Sequence, residues 1–229
     1  MSENYAVLFD MDGVIFDSER ALRAVWLELA AEQGLGDMER VYARCLGVTR
    51  EVTGSILREE YGEDFPWEAF REETTRRYRS RYAGGRLPLK PGAREILRAL
   101  GERGAPLALA SSTQRALVLR ELEEAGLLPF FDAVVCGDEV RRSKPEPEIF
   151  LTAAARLGAE PGRCFVIEDS FNGVRAGHAA GMRVLMVPDL LPPSDEMRRL
   201  AEAILPDLAA VGRYVINPFR TTKQQTSLE

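Results

Sequence analysis

Tyr5-Ala6-Val7-Leu8-Phe9-Asp10-Met11-Asp12-Gly13 decides the fold. An unbroken apolar run ends in a carboxylate, a second carboxylate follows two places on, and a glycine then lets the chain turn sharply. A short run with no polar alternation predicts a strand buried on both faces, as in a parallel sheet. Asp10 and Asp12 then stand past the strand's C-terminal end, the edge where open α/β sheets bind ligands.

Further apolar runs repeat the pattern at Pro106–Ala110, Ala133–Cys136, Cys164–Ile167 and Arg183–Val187. Helical periodicity lies between them at 93–102, 114–125, 146–157 and 173–180. Strands alternating with helices predict an α/β fold, a parallel sheet covered on both faces. The stretch from Ser18 to Arg86 breaks the alternation. It carries helical patterns at 19–32, 50–60 and 67–82 and no convincing strand. The expected organisation is a core of 1–17 plus 87–216, a helical cap domain at 18–86 inserted after the first strand, and a polar tail at 217–229. Joins near Asp17-Ser18 and Gly84-Gly85 are read as the points about which the cap moves.

The 229 residues, 45% apolar, allow a sizeable core. A net charge of −6 argues against a general nucleic-acid partner. Cys45, Cys136 and Cys164 are far apart and form no CxxC, so neither a zinc site nor a disulfide framework is expected. With no leader-like segment and no run of membrane-spanning length, the expectation is a cytoplasmic monomer that contacts no membrane.

The chemistry-bearing residues sit at the predicted strand ends. Asp10 is placed to attack phosphorus and form an aspartyl-phosphate. Asp12 is placed to protonate the leaving oxygen and then take a proton from water. Ser111 follows the second run, and Ser112-Thr113-Gln114 are read as opening a helix whose N–H groups hold an anion. Ser111 and Ser112 are therefore phosphate-binding candidates, with Thr113 a further donor. Lys144, in Ser143-Lys144-Pro145-Glu146-Pro147, is one of three lysines against 27 arginines. Its compact charge suits contact with nucleophile and phosphoryl oxygens together. Glu168-Asp169 ends the fourth run. Asp10, Asp12 through its backbone carbonyl, Asp169 and Glu168, directly or through water, form an oxygen donor set suited to Mg2+. Each residue alone reads equally well as a cap or turn residue; the set carries the reading. His178 sits on a small-residue helix and receives no role.

Asp10-Met-Asp-Gly-Val14, Ser111, Lys144-Pro-Glu-Pro147 and Glu168-Asp-Ser170 resemble, in order, the four motifs of the haloacid dehalogenase-like superfamily. That resemblance implies a Rossmann-like three-layer sandwich with a mobile cap and a magnesium cofactor. It makes Asp10 the nucleophile, Asp12 the acid/base, Ser111 and Lys144 the phosphoryl holders and Asp169 the metal ligand. Within the superfamily the chain is similar to the branch of β-phosphoglucomutase and small sugar-phosphate or pseudouridine-phosphate phosphatases. Gly47-Val48-Thr49-Arg50 resembles the mutase cap segment whose arginine holds a distal phosphate, which implies a specificity role for Arg50. The first cap helix, however, carries no histidine in Arg20–Trp26 where the mutase has one. Hydrolysis of a small phosphorylated metabolite is favoured over phosphomutase activity, and over a dehalogenase or a non-catalytic phosphate sensor. Sugar phosphates, nucleoside-type phosphates and phosphoglycolate all stay open as substrates.

Overall fold

A computed structural model describes residues 5–216. The polar tail read at 217–229 lies outside them. Six parallel strands form one sheet in the order β3-β2-β1-β4-β5-β6. They are β1 (Ala6–Phe9), β2 (Leu107–Ser111), β3 (Ala133–Cys136), β4 (Cys164–Glu168), β5 (Arg183–Met186) and β6 (Ala203–Ile204). The order reverses around β1, so β1, β2 and β4 meet at the topological switch point.

The period of a strand explains the apolar runs. In β1, Val7 and Phe9 enter one buried cluster, while Ala6 and Leu8 enter another on the opposite face. The first cluster is covered by α5 (Ala93–Gly101), α6 (Arg115–Glu124) and α10 (Leu208–Ile216) through Leu97, Val118 and Val211. The second is covered by α7 (Glu148–Leu157), α8 (Phe171–Ala179) and α9 (Asp195–Leu200) through Phe150, Val174 and Met197. Helix, sheet and helix make the three layers of a Rossmann-like α/β fold.

Between β1 and β2 lie α1 (Ser18–Glu32), α2 (Met38–Cys45), α3 (Arg50–Tyr61) and α4 (Trp67–Tyr82), ahead of α5. The periodicity at 19–32, 50–60 and 67–82 foretells α1, α3 and α4; α2 was not foreseen. These helices have a hydrophobic cluster of their own around Trp26. Its ring lies 5.2 Å from Tyr42, 6.0 Å from Trp67 and 5.2 Å from Phe70. Edge-on aromatic pairs of this kind add to what area burial supplies. Gly54 leaves the room Trp67 needs, since a Cβ there would meet its ring at 2.8 Å.

The chain crosses between sheet and helices twice, and the two crossings are bonded side by side. Asp17 N–H donates to Pro88 O at 2.8 Å, and Lys90 N–H to Ile15 O at 2.9 Å. Buried Asp189, in the loop after β5, accepts from Arg20 at 2.5 Å and Lys90 at 2.7 Å. Gly84 and Gly85 N–H both donate to the Glu124 carboxylate on α6, at 2.8 and 3.1 Å. The joins read from sequence as the points about which the cap moves thus carry hydrogen bonds at Asp17 and at Gly84-Gly85.

Candidate active site

β1 ends at Phe9, but Asp10 N–H still donates to Ile167 O at 3.0 Å, so the ladder carries Asp10 to the sheet edge beside β4. The residue is nearly enclosed, at 7% exposure. The chain then folds back on itself, with Ile15 and Phe16 N–H both donating to Met11 O. Gly13 has φ +76°, and a Cβ there would lie 2.2 Å from Asp169 Oδ2. Both backbone and space demand glycine.

Lys144 reaches this edge from the loop after β3. Its ammonium donates to Asp10 Oδ1 at 2.5 Å, Glu168 Oε1 at 2.7 Å and Ala110 O at 3.0 Å. All three donors of the group are used. Burial pushes the Lys144 pKa down, but Asp10 and Glu168 outweigh it and the net direction is up. Lys144 is therefore a fixed cation at neutral pH.

Glu168 is fully buried, and its second oxygen accepts from Asp169 N–H, Ser170 N–H and Ser170 Oγ–H at 3.0, 3.0 and 2.9 Å. Ser170 caps α8 by accepting from Gly173 N–H at 3.0 Å. A Cβ on Gly173 would sit 1.8 Å from the Glu168 carboxyl carbon. Glu168 is tied at both oxygens and cannot step aside. Gly173→Ala should therefore cost at least about 2–3 kcal/mol, the upper range for overpacking, read as a lowered urea midpoint with unchanged slope.

Asp10, Glu168 and Asp169 each offer an oxygen, all within 4.8 Å of one another. Asp10 is pushed up to about 8 by burial, which Lys144 opposes and Glu168 and Asp12 reinforce. Asp169 is likewise driven well above the carboxylate range, by burial first and then by Glu168 and Asp10. Among the described residues no side chain donates to the Asp169 carboxylate. Crowded, desolvated carboxylates with one lysine among them fit a hard divalent cation.

Asp12 points elsewhere. Its Oδ2 accepts from Thr113 Oγ–H at 3.1 Å, and its side chain is outside the three-carboxylate cluster. Thr113 N–H in turn donates to buried Ser111 Oγ at 3.1 Å. The helix after Ser111 begins later than its sequence predicts: α6 starts at Arg115, whose N–H donates to Asp138 Oδ1 at 2.9 Å. Residues 112–114 form a turn instead, held by Gly137 N–H donating to Thr113 O at 3.0 Å. Ser112 is exposed and shares a cleft of about 500 Å³ with Lys144, Asp169, Ser170, Glu19 of α1 and Val48 of the connection between α2 and α3.

Arg50 opens α3 in an adjoining cleft with Trp26, Tyr42 and Trp67, which shares Glu19, Leu46, Gly47 and Val48 with the cleft of Lys144; it pairs with Glu68 at 2.6 Å and is 54% exposed. The structure brings Asp10, Lys144, Glu168 and Asp169 together, with Ser111 next after the Ala110 carbonyl that Lys144 bonds, and places Arg50 on the adjoining cleft. Exposed His178 has its Nδ1 3.1 Å from Leu200 O. Glu19 was not singled out from the sequence, yet it lines three clefts around the site and accepts from Tyr42 Oη–H at 3.1 Å. Burial and the nearby Asp12 raise its pKa. Its only sequence signal is its place directly after Asp17-Ser18, where the chain leaves the sheet.

The sequence profile of the haloacid dehalogenase-like hydrolases matches residues 6–181. The chain belongs to that family. Among haloacid dehalogenase-like relatives, it is 35% identical over 184 residues to the fructose-1-phosphate phosphatase YqaB of Escherichia coli, covering 80% of this chain and 96% of that one. It is 34% identical over 188 residues to a probable pseudouridine-5′-phosphatase of Drosophila melanogaster, covering 80% of each. A haloacid dehalogenase-family hydrolase of Deinococcus radiodurans, solved with phosphate and sodium, superposes with a TM-score of 0.80 at 31% identity, over 95% of this chain and 97% of that one. Within the haloacid dehalogenase-like family the chain is by class a phosphoric monoester hydrolase. Among the described residues no helix is long and apolar enough to cross a membrane.

Proposed function

We propose that the protein is a magnesium-dependent phosphatase of a small phosphorylated metabolite, working through an aspartyl-phosphate on Asp10. One observation carries this: a buried lysine joins Asp10 to Glu168 beside Asp169, while Asp12 is held apart on Thr113. The arrangement supplies a nucleophile, a fixed cation and a separate acid.

Asp10 attacks phosphorus as the P–O bond to the leaving group breaks, and Asp12 gives that oxygen its proton. Lys144 neutralises charge on the phosphoryl oxygens without reorganising, because its carboxylate and carbonyl partners already fix it. Ser111 and Ser112 border the same oxygens. Asp12 then takes a proton from water, which attacks the aspartyl-phosphate and returns Asp10 and inorganic phosphate. Asp10 and Asp169 would hold Mg2+ directly, with the Asp12 carbonyl; Glu168 acts through Lys144 and the residue 169–170 amides. When bound, Mg2+ supplies positive charge that keeps Asp10 ionised and screens carboxylate from phosphate.

The same reading divides the chain into a catalytic core of 1–17 plus 87–216 and a cap of 18–86, with Arg50 contributing specificity from the cap. Three free cysteines, two of them buried, support action in a reducing cytoplasm, and the same reading keeps the protein a monomer. Hydrolysis is favoured over phosphate return to substrate because α1 offers Ser18, Glu19 and Leu22, and no imidazole, to the cavity beside Asp12. A panel of phosphate esters assayed for free phosphate tests the proposal. Release that needs Mg2+ is expected, and no release from any ester would leave a phosphate-binding protein instead.

A pH effect follows. In chelator, the native state holds the Asp10 proton more tightly than the unfolded chain, at about 8 against 3.8. Its contribution to stability is full below pH 3.8 and is lost as pH rises through about 8. Mg2+ reverses that loss, so it should raise the melting temperature more at pH 8 than at pH 5.5. An equal shift at both would count against Asp10 as a ligand.

A further inference from the structure

On the Asp12 side of the site lies a second cavity of about 230 Å³. Asp12 lines this cavity, whereas Lys144 and Asp169 line the neighbouring cleft. On the phosphatase reading, on which this inference rests, Asp12 hands its proton to the leaving oxygen. The departing group must then lie where Asp12 points.

The walls say what that group is. Tyr78 and Tyr82 of α4 stand together, ring centres 5.1 Å apart and tilted 54°. Leu22 of α1 and Leu117 of α6 add further apolar wall. The volume falls below the roughly 300 Å³ at which drug-sized sites begin, so it takes a small alcohol of one or two rings and little more.

The charges say what the group is not. Half-buried Glu19 and Glu121 join Asp12 on the lining, while the cationic residues, Arg79 and Arg120, are exposed. Burial and the Asp12 charge together push Glu121 up to about 7. These carboxylates already hold one another's ionisation down, and a second anion on the substrate would meet the same repulsion. The carboxylates can instead accept from O–H or N–H groups on a neutral ring.

We infer that this cavity is the leaving-group subsite, and that it selects phosphate monoesters of uncharged alcohols carrying a flat ring over substrates with a second phosphate or a carboxylate. Tyr78 supplies the ring contact and Glu121 the charge selection.

The test compares kcat/KM for benzyl phosphate, uridine 5′-monophosphate, methyl phosphate, phosphoglycolate and fructose 1,6-bisphosphate, with Mg2+ present. The two ring-bearing neutral alcohols should exceed the two anionic ones by at least about tenfold. Tyr78→Ala should lower the benzyl-to-methyl ratio about three- to tenfold, the size of one ring–ring contact. The isosteric Glu121→Gln should raise phosphoglycolate relative to benzyl phosphate at least about threefold, as a repulsive charge is removed. Anionic esters turned over as well as neutral ones, or Tyr78→Ala slowing every ester by one factor, would overturn the subsite. An enzyme inactive on every ester overturns the phosphatase reading itself and the subsite with it.

Discussion

Asp10→Asn is expected to lower phosphate release at least about 10⁴-fold on every active ester, in the range seen when a covalent nucleophile is removed. An amide oxygen has the shape of the carboxylate without its negative charge, so the first P–O bond cannot form. The fold should survive, because Lys144 keeps Glu168 at 2.7 Å and the Ala110 carbonyl at 3.0 Å. Burial already holds Asp10 up at about 8, so the native site accommodates an uncharged group there. In chelator at pH 8 the variant should melt no lower than the parent. Acid-quenched enzyme from a ³²P-labelled ester should carry label in the parent and none in the variant. Release sustained in Asp10→Asn would mean that water attacks phosphorus directly.

The strands were legible because both faces of this sheet are buried. That removes polar alternation and leaves plain apolar runs at β1 to β5. Runs ending in Asp10, Ser111 and Glu168 end at one edge of one parallel sheet, so their convergence follows from the fold class. β6 is different: Ala203–Ile204 is a strand only because β5 offers it an edge, and two residues carry no period. α2 buries just Met38, Val41 and Tyr42, one turn's worth, after Gly34 and Gly36. The start of α6 was misplaced because its cap comes from Asp138, across the sheet edge, and not from the serines beside it.

Distances through space were not legible at all. Nothing near Asp12 in the sequence says that Thr113 will hold its carboxylate outside the cluster of Asp10, Glu168 and Asp169. Nothing near Tyr78 says that its ring will border the same cavity as Asp12. Lys90 and Arg20 converge on Asp189 from residues far apart in the chain, and only the folded crossings bring them together. Residue types at strand ends suggest the chemistry; the shape that chooses a substrate depends on packing between helices distant in sequence.

Lys144→Ala carries the largest expected stability effect. The side chain is 6% exposed and bridges two carboxylates exposed by 10% and 0%. Removing one partner of a buried pair costs about 3–5 kcal/mol, mostly because the charges left behind are unsolvated. Here two are left. Lys144 gains its proton affinity on folding, so its contribution is complete below its unfolded value of 10.5 and is lost only above it. The loss should therefore show in full at pH 7 as a lowered urea midpoint. Glu168→Gln in the same chain should recover part of it, because one stranded charge is gone; a simple cavity would not be relieved this way. Mg2+ should stabilise Lys144→Ala more than the parent, since a divalent cation beside Asp10 and Asp169 takes over some of the missing charge. Activity should stay low even at saturating Mg2+, because among the described residues no other lysine or arginine bonds Asp10 or the Ala110 carbonyl. A loss below about 1 kcal/mol, the scale of a surface ion pair, would show that solvent reaches these carboxylates and that Lys144 does not hold the site together.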